Sequence, residues 1–205
     1  MIVSLPDSAQ KLFPGVVFSG ERTINKVYLT FDDGPIPEVT LPILELLKEH
    51  KAIATFFEVG ENVFRYPEVH DRILKEGHQV ANHTFNHLSG WKTKSKEYLE
   101  NVEKANKLIK SDYFRPPYGR MTPKQFNGLK KASYKIIYWD ILSRDYDKTV
   151  SQEECLNNIL SNLQNGSIIL LHDSLKAEKN VLAVLPKVLE TIKQKGFEFG
   201  RIDEI

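Results

Sequence analysis

The sequence predicts a single-domain α/β protein, a distorted (β/α) barrel of about seven parallel strands. Across 205 residues, short β-branched or aromatic runs alternate with longer amphipathic segments, without a repeat or a linker-like break. Strand–helix alternation with connections of this length favours a parallel sheet. No glycine-rich dinucleotide fingerprint follows any predicted strand, which favours a barrel over an open Rossmann sheet.

The predicted strands are short apolar or aromatic runs at 27–31, 53–58, 78–82, 112–115, 134–140, 167–171 and 197–202. The predicted helices repeat apolar residues every three or four positions, at 39–50, 65–76, 95–110, 122–132, 151–163 and 180–195. In the first of these, Leu41, Leu44 and Leu47 share the face that packs on a core. Residues 1–24 are expected to form an N-terminal extension, and residues 25–205 the main domain.

The extension is expected to contain a hairpin around Val16-Val17-Phe18, closed by Gly20. The N-terminus has neither a basic region nor a long apolar one, so no signal peptide is indicated. A cytoplasmic location is therefore expected, or an extracellular one if the sequence is a trimmed form of a longer chain.

Composition and charge argue against several classes of partner. The chain has 28 basic and 27 acidic residues, a formal charge of +1, so neither nucleic acid nor an anionic membrane is favoured. No apolar run approaches the roughly 18 residues that span a bilayer. The single Cys155 cannot form an internal disulfide and is expected to be a small core or boundary residue of a helix. No protein partner is implied.

Two adjacent carboxylates, Asp32 and Asp33, follow the apolar strand at 27–31, just before a Gly-Pro turn. Adjacent acids repel each other and lose solvation, so the pair is costly unless a cation lies beside it. Two imidazoles, His83 and His87, lie four positions apart further along the chain. One carboxylate and two imidazoles make a metal-ligand set, and the second carboxylate is free to act as a base. This constellation indicates a hydrolase.

Other polar residues also follow predicted strands. His83 follows the third, Arg115 the fourth, Asp145 the fifth and His172 the sixth. In α/β barrels the C-terminal strand ends converge on one face, where active sites lie. Taken alone, His172 could be a buried structural histidine. Arg115 could simply belong to a rigid turn, but an arginine fixed by two prolines is also preorganised to hold a carboxylate. Their convergence favours one shared site.

Several further residues have ordinary structural interpretations. His50, His70 and His78 lie in or beside helical surface patterns, and no role is predicted for them. Trp139 lies within a predicted strand and is expected in the core. Trp91 lies in a polar loop, where it can stack on a sugar ring or be a plain surface residue.

With these residues in place, the chain resembles the polysaccharide deacetylases, the carbohydrate esterase family that shares the chitooligosaccharide deacetylase homology domain. The resemblance covers residues 25–205, and the family motifs occur in order as Thr30-Phe31-Asp32-Asp33-Gly34, His83-Thr84-Phe85-Asn86-His87, Arg115-Pro116-Pro117-Tyr118, the stretch from Asp140 to Asp145-Tyr146, and Leu170-Leu171-His172. The one departure is Tyr146, where the family usually carries a tryptophan.

The resemblance implies a divalent metal bound by Asp33, His83 and His87. It implies that Asp32 is the base and that Arg115 orients it. Zinc is the expected metal, although two imidazoles and one carboxylate also suit cobalt, nickel or ferrous iron.

The resemblance also implies that His172 is a general acid paired with Asp145. The Tyr118 backbone N–H is expected to stabilise the oxyanion of the reaction. Leu170 and Tyr146 are expected to line the pocket for the acetyl methyl group.

The expected reaction is removal of N-acetyl groups from an N-acetylglucosamine-containing glycan, either a chitooligosaccharide or peptidoglycan. The expected partner is therefore an acetylated oligo- or polysaccharide. An O-acetyl esterase acting on a xylan-type polymer is the alternative, and a small-molecule amidohydrolase fits less well. A sugar-binding pseudoenzyme is disfavoured because Asp32 and His172 are both present.

Overall fold

The computed structural model describes residues 3–4 and 6–205. The strands of this part are β1 (Val16–Val17), β2 (Lys26–Asp32), β3 (Thr55–Glu58), β4 (Gln79–Asn82), β5 (Tyr113–Phe114), β6 (Lys135–Ile137), β7 (Ile141–Leu142), β8 (Ile168–His172) and β9 (Glu198–Gly200). Its helices are α1 (Asp7–Gln10), α2 (Pro37–Glu49), α3 (Gly60–Arg65), α4 (Pro67–Lys75), α5 (Ser95–Ile109), α6 (Pro123–Lys131), α7 (Gln152–Leu160) and α8 (Glu178–Gln194). Short 3₁₀ helices lie at Gly90–Lys92, Pro117–Gly119 and Ile202–Glu204.

The strands form one parallel sheet that curls into an incompletely closed barrel. Its order is β1-β6-β5-β4-β3-β2-β8-β7, and β9 pairs with the start of β2. The helices connect successive strands and cover the outer face, where they share the largest apolar cluster with the sheet. The predicted fold class, a distorted (β/α) barrel in a single domain, is confirmed.

Alternation along β2 determines which side chains enter the barrel. Leu29 and Phe31 lie in the outer cluster beneath the helices. Thr30 and Asp32 point to the opposite side, because successive side chains of a strand face opposite ways. The parallel register pairs Asp32 with His172, the last residue of β8. Two sequence-predicted site residues therefore meet at the same end of the barrel.

The hairpin predicted around Val16-Val17-Phe18 is wrong. Val16 and Val17 instead form β1, which pairs in parallel with Ile136 and Ile137 of β6. The physical reason is the open edge of β6, whose free backbone groups accept a short β-branched strand. Residues 1, 2 and 5 of the predicted extension lie outside the described part of the chain.

Two predicted elements differ from the observed ones in their bounds. The strand predicted at 134–140 is shortened to β6, and a separate strand, β7, follows it from Ile141, because the chain leaves β5 and β1 and joins β8 at this point. The helix predicted at 65–76 coincides with α4, and α3 precedes it. Tyr66 separates these helices with φ −130° and ψ 56°, outside the helical region that a following proline disfavours.

Two remaining predictions concern burial and membrane crossing. Cys155 is fully buried in α7, which confirms its predicted place in the core. No helix within the described residues has the length and apolarity needed to cross a bilayer.

Candidate active site

The first carboxylate at the end of β2 is held by a completely buried arginine. Arg115 Nη1 donates to Asp32 Oδ1 at 2.7 Å and to Thr30 Oγ1 at 2.8 Å. The carbonyls of Ile137 and Tyr138 accept from its Nε and Nη2 at 3.3 and 2.8 Å. Burial lowers the pKa of Arg115, and the charge and hydrogen bond of Asp32 oppose that shift. The prediction that Arg115 holds a carboxylate matches this geometry.

The second carboxylate lies with the two predicted imidazoles. Asp33 Oδ1 is 3.1 Å from His87 Nε2 and 3.7 Å from His83 Nε2. One ligand atom from each of these three residues lies within 4.8 Å of the others. Burial opposes ionisation of Asp33, but the hydrogen bond from His87 and the charges of the nearby imidazoles hold its pKa well below the usual range. The side chain of His87 is 28% exposed and that of His83 only 2%, so the cluster opens to solvent on the His87 side.

The proton on His83 can be assigned from its partner. Its Nδ1 is 2.8 Å from the Arg115 carbonyl oxygen, which can only accept, so Nδ1 carries the proton and Nε2 is free. Burial, more than the surrounding charges, lowers the pKa of His83 to about 4. His83 is therefore a neutral imidazole whose free nitrogen faces the Asp33 carboxylate.

The segment from His83 to His87 is not helical, although spacing of four residues would also suit a helix. Thr84 and His87 have positive φ of 66° and 53°, and the two imidazole centroids lie 5.1 Å apart. The Asn101 side chain on α5 accepts from the backbone N–H groups of Phe85 and Asn86 at 2.7 and 3.2 Å. Asn101 thus supports the loop, a role that its place in a helical pattern did not indicate.

His172 forms a dyad with Asp145 across the barrel. The distance from His172 Nδ1 to Asp145 Oδ1 is 2.7 Å, and Asp145 Oδ2 accepts from the His172 backbone N–H at 2.7 Å. Burial disfavours the imidazolium, but the charge and hydrogen bond of Asp145, helped by Asp33 and Asp32, raise the pKa of His172 to about 9. His172 is consequently a protonated donor at neutral pH.

These groups surround one cavity of about 590 Å³ at the C-terminal ends of the strands. Its lining contains eight of the ten predicted site residues: Asp32, Asp33, His83, His87, Tyr118, Tyr146, Leu170 and His172. The other two, Arg115 and Asp145, are buried behind it against Asp32 and His172. Tyr146 stands against His172, with ring centroids 4.9 Å apart.

The structure also corrects three of the interpretations made for isolated residues. His70 and His78 are buried rather than on the surface, and His70 Nδ1 lies 2.7 Å from the buried Glu58 carboxylate. Trp139 packs against a buried apolar cluster but is only half-buried, because it also lines the cavity. Trp91 is 64% exposed, with the Arg120 guanidinium 4.9 Å from its ring centroid.

The sequence did not single out several residues at the site. Gly119, Arg120, Leu142 and Lys176 line the cavity with Trp139. Asp173 is buried beneath it, and burial raises the pKa of Asp173 to about 7 against hydrogen bonds from Thr40 and Gly34. Their adjacency to the motifs is the signal that was available, since Asp173 directly follows His172 and Arg120 follows the double-proline turn.

The donor set of Asp33, His83 and His87 fits a divalent metal. It offers one carboxylate and two imidazoles from a compact group, and the His83 Nε2 lone pair is free because Nδ1 is engaged by a carbonyl. Three protein ligands leave a coordination position for water or substrate, as catalytic sites require. The same set suits zinc and several first-row transition metals.

Comparisons with known proteins agree with this geometry. A family model described as polysaccharide deacetylase matches residues 19–137, more than half of the chain. A peptidoglycan-N-acetylglucosamine deacetylase of Bacillus cereus is 36% identical over 186 residues, which cover 87% of this chain and 87% of that protein. A chitooligosaccharide deacetylase of Azorhizobium caulinodans is 32% identical over 191 residues, which cover 84% of this chain and 90% of that protein.

Solved structures extend the similarity beyond the region of the family model. A peptidoglycan N-acetylglucosamine deacetylase, in complex with 4-naphthalen-1-yl-N-oxidanyl-benzamide, has a TM-score of 0.90 and 32% identity over 98% of this chain and 96% of that one. A family 4 carbohydrate esterase from Streptomyces lividans, in complex with acetate, has a TM-score of 0.78 and 28% identity over 85% of this chain and 91% of that one. The family predicted from the motifs is confirmed: this chain belongs to the polysaccharide deacetylases, a family of hydrolases.

Proposed function

We propose that this protein is a metal-dependent deacetylase that removes N-acetyl groups from an N-acetylglucosamine-containing glycan, with residues 25–205 as its catalytic domain. The observation that carries the proposal is the arrangement around one cavity: a metal-ligand cluster, a clamped carboxylate and a carboxylate–imidazole dyad. Amide hydrolysis needs a polarised carbonyl, a base for water and an acid for the leaving nitrogen. This cavity has a candidate for each.

The metal would be held by Asp33, His83 and His87, and zinc is the metal that we expect first. A bound divalent ion supplies Lewis acidity, which makes water a stronger acid and the acetyl carbon a better electrophile. The protein holds the ligands ready for it, with His83 neutral and Asp33 ionised.

Asp32 is the proposed general base, which takes a proton from the attacking water. Arg115 holds one of its oxygens, Oδ1, at 2.7 Å, so the carboxylate has a fixed orientation. Its Oδ2 lies 3.8 Å from His83 Nε2, on the side of the ligand cluster. Asp32 thus lies next to the cluster without belonging to the three-residue ligand group.

His172 is the proposed general acid, which donates a proton to the departing sugar nitrogen. Asp145 accepts from Nδ1 and thereby orients the ring and stabilises its protonated form. The Tyr118 backbone N–H is the proposed donor to the oxyanion, and Leu170 and Tyr146 are the proposed walls of the methyl pocket.

The dyad favours an amide over an ester as the bond cleaved. An amine leaves only after it gains a proton, whereas an alkoxide departs more readily. A histidine whose pKa lies near 9 is a donor throughout the neutral range. The peptidoglycan-N-acetylglucosamine and chitooligosaccharide deacetylases among the relatives favour N-deacetylation over the O-acetyl esterase alternative.

The mouth of the cavity supports an acidic glycan as substrate. Arg120 and Lys176 line it, both side chains are exposed, and no carboxylate among the described residues is within ion-pair distance of either. A neutral glycan leaves such cations without an ionic partner, whereas peptidoglycan carries carboxylates on its stem peptides and on those muramyl lactyl groups that bear no peptide. The peptidoglycan deacetylases among the relatives agree with this choice.

Acetate release from chitooligosaccharides, peptidoglycan fragments and acetylated xylan tests the proposal. Each reaction is run with zinc, with cobalt and with a chelator, and Asp32→Asn serves as the inactive control. Metal-dependent release from N-acetylated glycans, absent in the variant, is the expected result. Release from xylan alone would transfer the protein to the esterase class.

A further inference from the structure

Asp173 lies directly beneath the proposed metal ligands without lining their cavity. It is 1% exposed and follows His172 at the end of β8. Its Oδ1 accepts from the Gly34 backbone N–H at 2.9 Å, and its Oδ2 accepts from Thr40 Oγ1 at 2.7 Å. Its own backbone N–H donates to the Asp32 carbonyl at 3.0 Å. One residue therefore holds the chain on both sides of Asp33.

The loop that Asp173 holds contains an unfavourable backbone conformation. Asp33 has φ of +87°, a region that residues with a side chain rarely adopt. Such a residue costs on the order of 1–3 kcal/mol and persists only where its surroundings determine it. Phe57 accepts from the Asp33 N–H at 3.3 Å, and Asn62 Nδ2 donates to the Asp33 carbonyl at 2.7 Å. Asp173 adds the contacts to the two neighbouring residues.

The packing around Gly34 leaves little freedom for this arrangement. A Cβ on Gly34 would lie 1.9 Å from Asp173 Oδ2, so glycine is required by the close approach of the carboxylate. Thr40, at the start of α2, extends the network because its Oγ1 accepts from the Ile36 N–H at 2.8 Å. The carboxylate of Asp173 thus joins β8, the loop after β2 and the first turn of α2.

From this geometry we propose that Asp173 is a positioning residue for the metal site, which keeps the Asp33 carboxylate within ligand distance of His83 and His87. The inference rests on the proposed metal site but concerns a residue outside the ligand set. Burying a carboxylate without a cation is costly. Among the described residues no Lys, Arg or His lies within ion-pair distance of Asp173. A carboxylate suits this position because each of its two oxygens accepts one hydrogen bond, from the Gly34 N–H after β2 and from the Thr40 hydroxyl of α2.

Zinc affinity, measured by competition with a chromogenic chelator in the absence of substrate, tests this role. Loss of a residue that orients a ligand commonly weakens metal binding by about 10–100-fold, and we expect a loss in that range for Asp173→Ala. Asp173→Asn keeps an acceptor for Gly34 and is expected to lose less. Thr40→Val removes the hydroxyl that contacts both Asp173 and the Ile36 N–H and is expected to weaken binding, whereas Thr40→Ser restores it.

Asp140→Ala is the matched control for loss of a buried carboxylate. Asp140 is also 1% exposed, but it accepts from the Ile168 N–H at 2.7 Å and from Arg22 at 2.8 Å, outside the cavity lining. The Asp140→Ala substitution is expected to lower the midpoint temperature of thermal unfolding without changing zinc affinity. Equal zinc affinities in wild type and Asp173→Ala would overturn the proposal, as would equal losses in Asp173→Ala and Asp140→Ala. Failure to deacetylate any glycan, with the zinc results as expected, would count against the proposed function alone.

Discussion

Asp32 is the residue at which proton acceptance can be separated from metal binding. Asp32→Asn keeps an oxygen that can accept from Arg115 but removes the basic carboxylate. We expect zinc affinity close to that of the wild type and a fall in kcat of about 10²–10⁴-fold, the usual range for a general base. Zinc titration and acetate release on the same preparation measure both quantities.

Asp33→Ala and His87→Ala are the contrasting variants for that experiment. Each removes one member of the three-residue cluster, so each should lose zinc binding together with turnover. More than a tenth of the wild-type rate in Asp32→Asn would show that another group is the base.

The Asp145–His172 dyad predicts a change in pH dependence. His172 must be protonated to act as an acid, so kcat/KM should fall as the pH rises through its pKa of about 9. Asp145→Asn removes the main contribution that raises this pKa, so the alkaline limb should move to lower pH. A pH–rate profile of both proteins tests this, and an unchanged alkaline limb would mean that His172 is not the acid. The variant should also slow an acetanilide-type amide more than a matched acetate ester.

At the scale of the element, the turn after β5 sets the shape of the cavity mouth. Gly119 has φ of +62°, and a Cβ there would lie 3.0 Å from Cη2 of Trp139, which also lines the cavity. Gly119→Ala should therefore destabilise the fold by about 1 kcal/mol through its backbone conformation. Displacement of Trp139 should also raise KM while zinc affinity stays unchanged.

Gly77→Ala is the control for the backbone effect alone. Gly77 has φ of +87°, and its added Cβ would meet nothing within 4 Å. It should lose similar stability and keep the wild-type KM. If both variants raised KM alike, the contact between Gly119 and Trp139 would not be the cause.

Elements and strand-end residues were predictable because their signals are local. Apolar runs bounded by turns predict strands, and barrel geometry brings their last polar residues, such as Asp32 and His172, to one end. The pairing of β1 with β6 was not predictable, since it depends on which edge of the sheet stays unpaired once the other strands have assembled. Adjacency to His172 could have indicated that Asp173 and Lys176 lie near the site, but what they contact depends on the fold and could not be predicted.

At the scale of the whole molecule, a buried histidine links folding stability to pH. His78 lies at the start of β4, where its Nδ1 accepts from the Ala54 N–H at 3.3 Å. Burial lowers the pKa of His78 from 6.5 to about 4. The unfolded chain therefore takes up this proton at higher pH than the folded one, so stability is lost as the pH falls through that window.

We expect this site to contribute up to about 3 kcal/mol to the change in unfolding free energy between about pH 7 and about pH 4. Denaturant unfolding of wild type and His78→Gln at both pH values measures that contribution, which should disappear from the variant. Equal pH dependence in wild type and His78→Gln would contradict the assignment.

The charge of the molecule is nearly balanced, yet two cations that have no carboxylate partner among the described residues line the mouth of the cavity. Arg120 is 4.9 Å from the Trp91 ring centroid, and Lys176 Nζ is 5.2 Å from that of Tyr146. Exposed charge pairs contribute about 0.2–1 kcal/mol each and are screened by salt. Arg120→Gln and Lys176→Gln should each lower kcat/KM for peptidoglycan fragments by up to about fivefold at low ionic strength.

The same variants should change kcat/KM little for a neutral chitooligosaccharide of equal length, and added salt should remove the difference. Lys124→Gln, at an exposed lysine of α6 outside the cavity, controls for the loss of one surface charge. Selection of an acidic glycan predicts loss only for the two mouth variants and only on the carboxylate-bearing substrate. Equal losses on both substrates would mean that Arg120 and Lys176 contact the sugar backbone itself, and the preference for an acidic glycan would have to be abandoned.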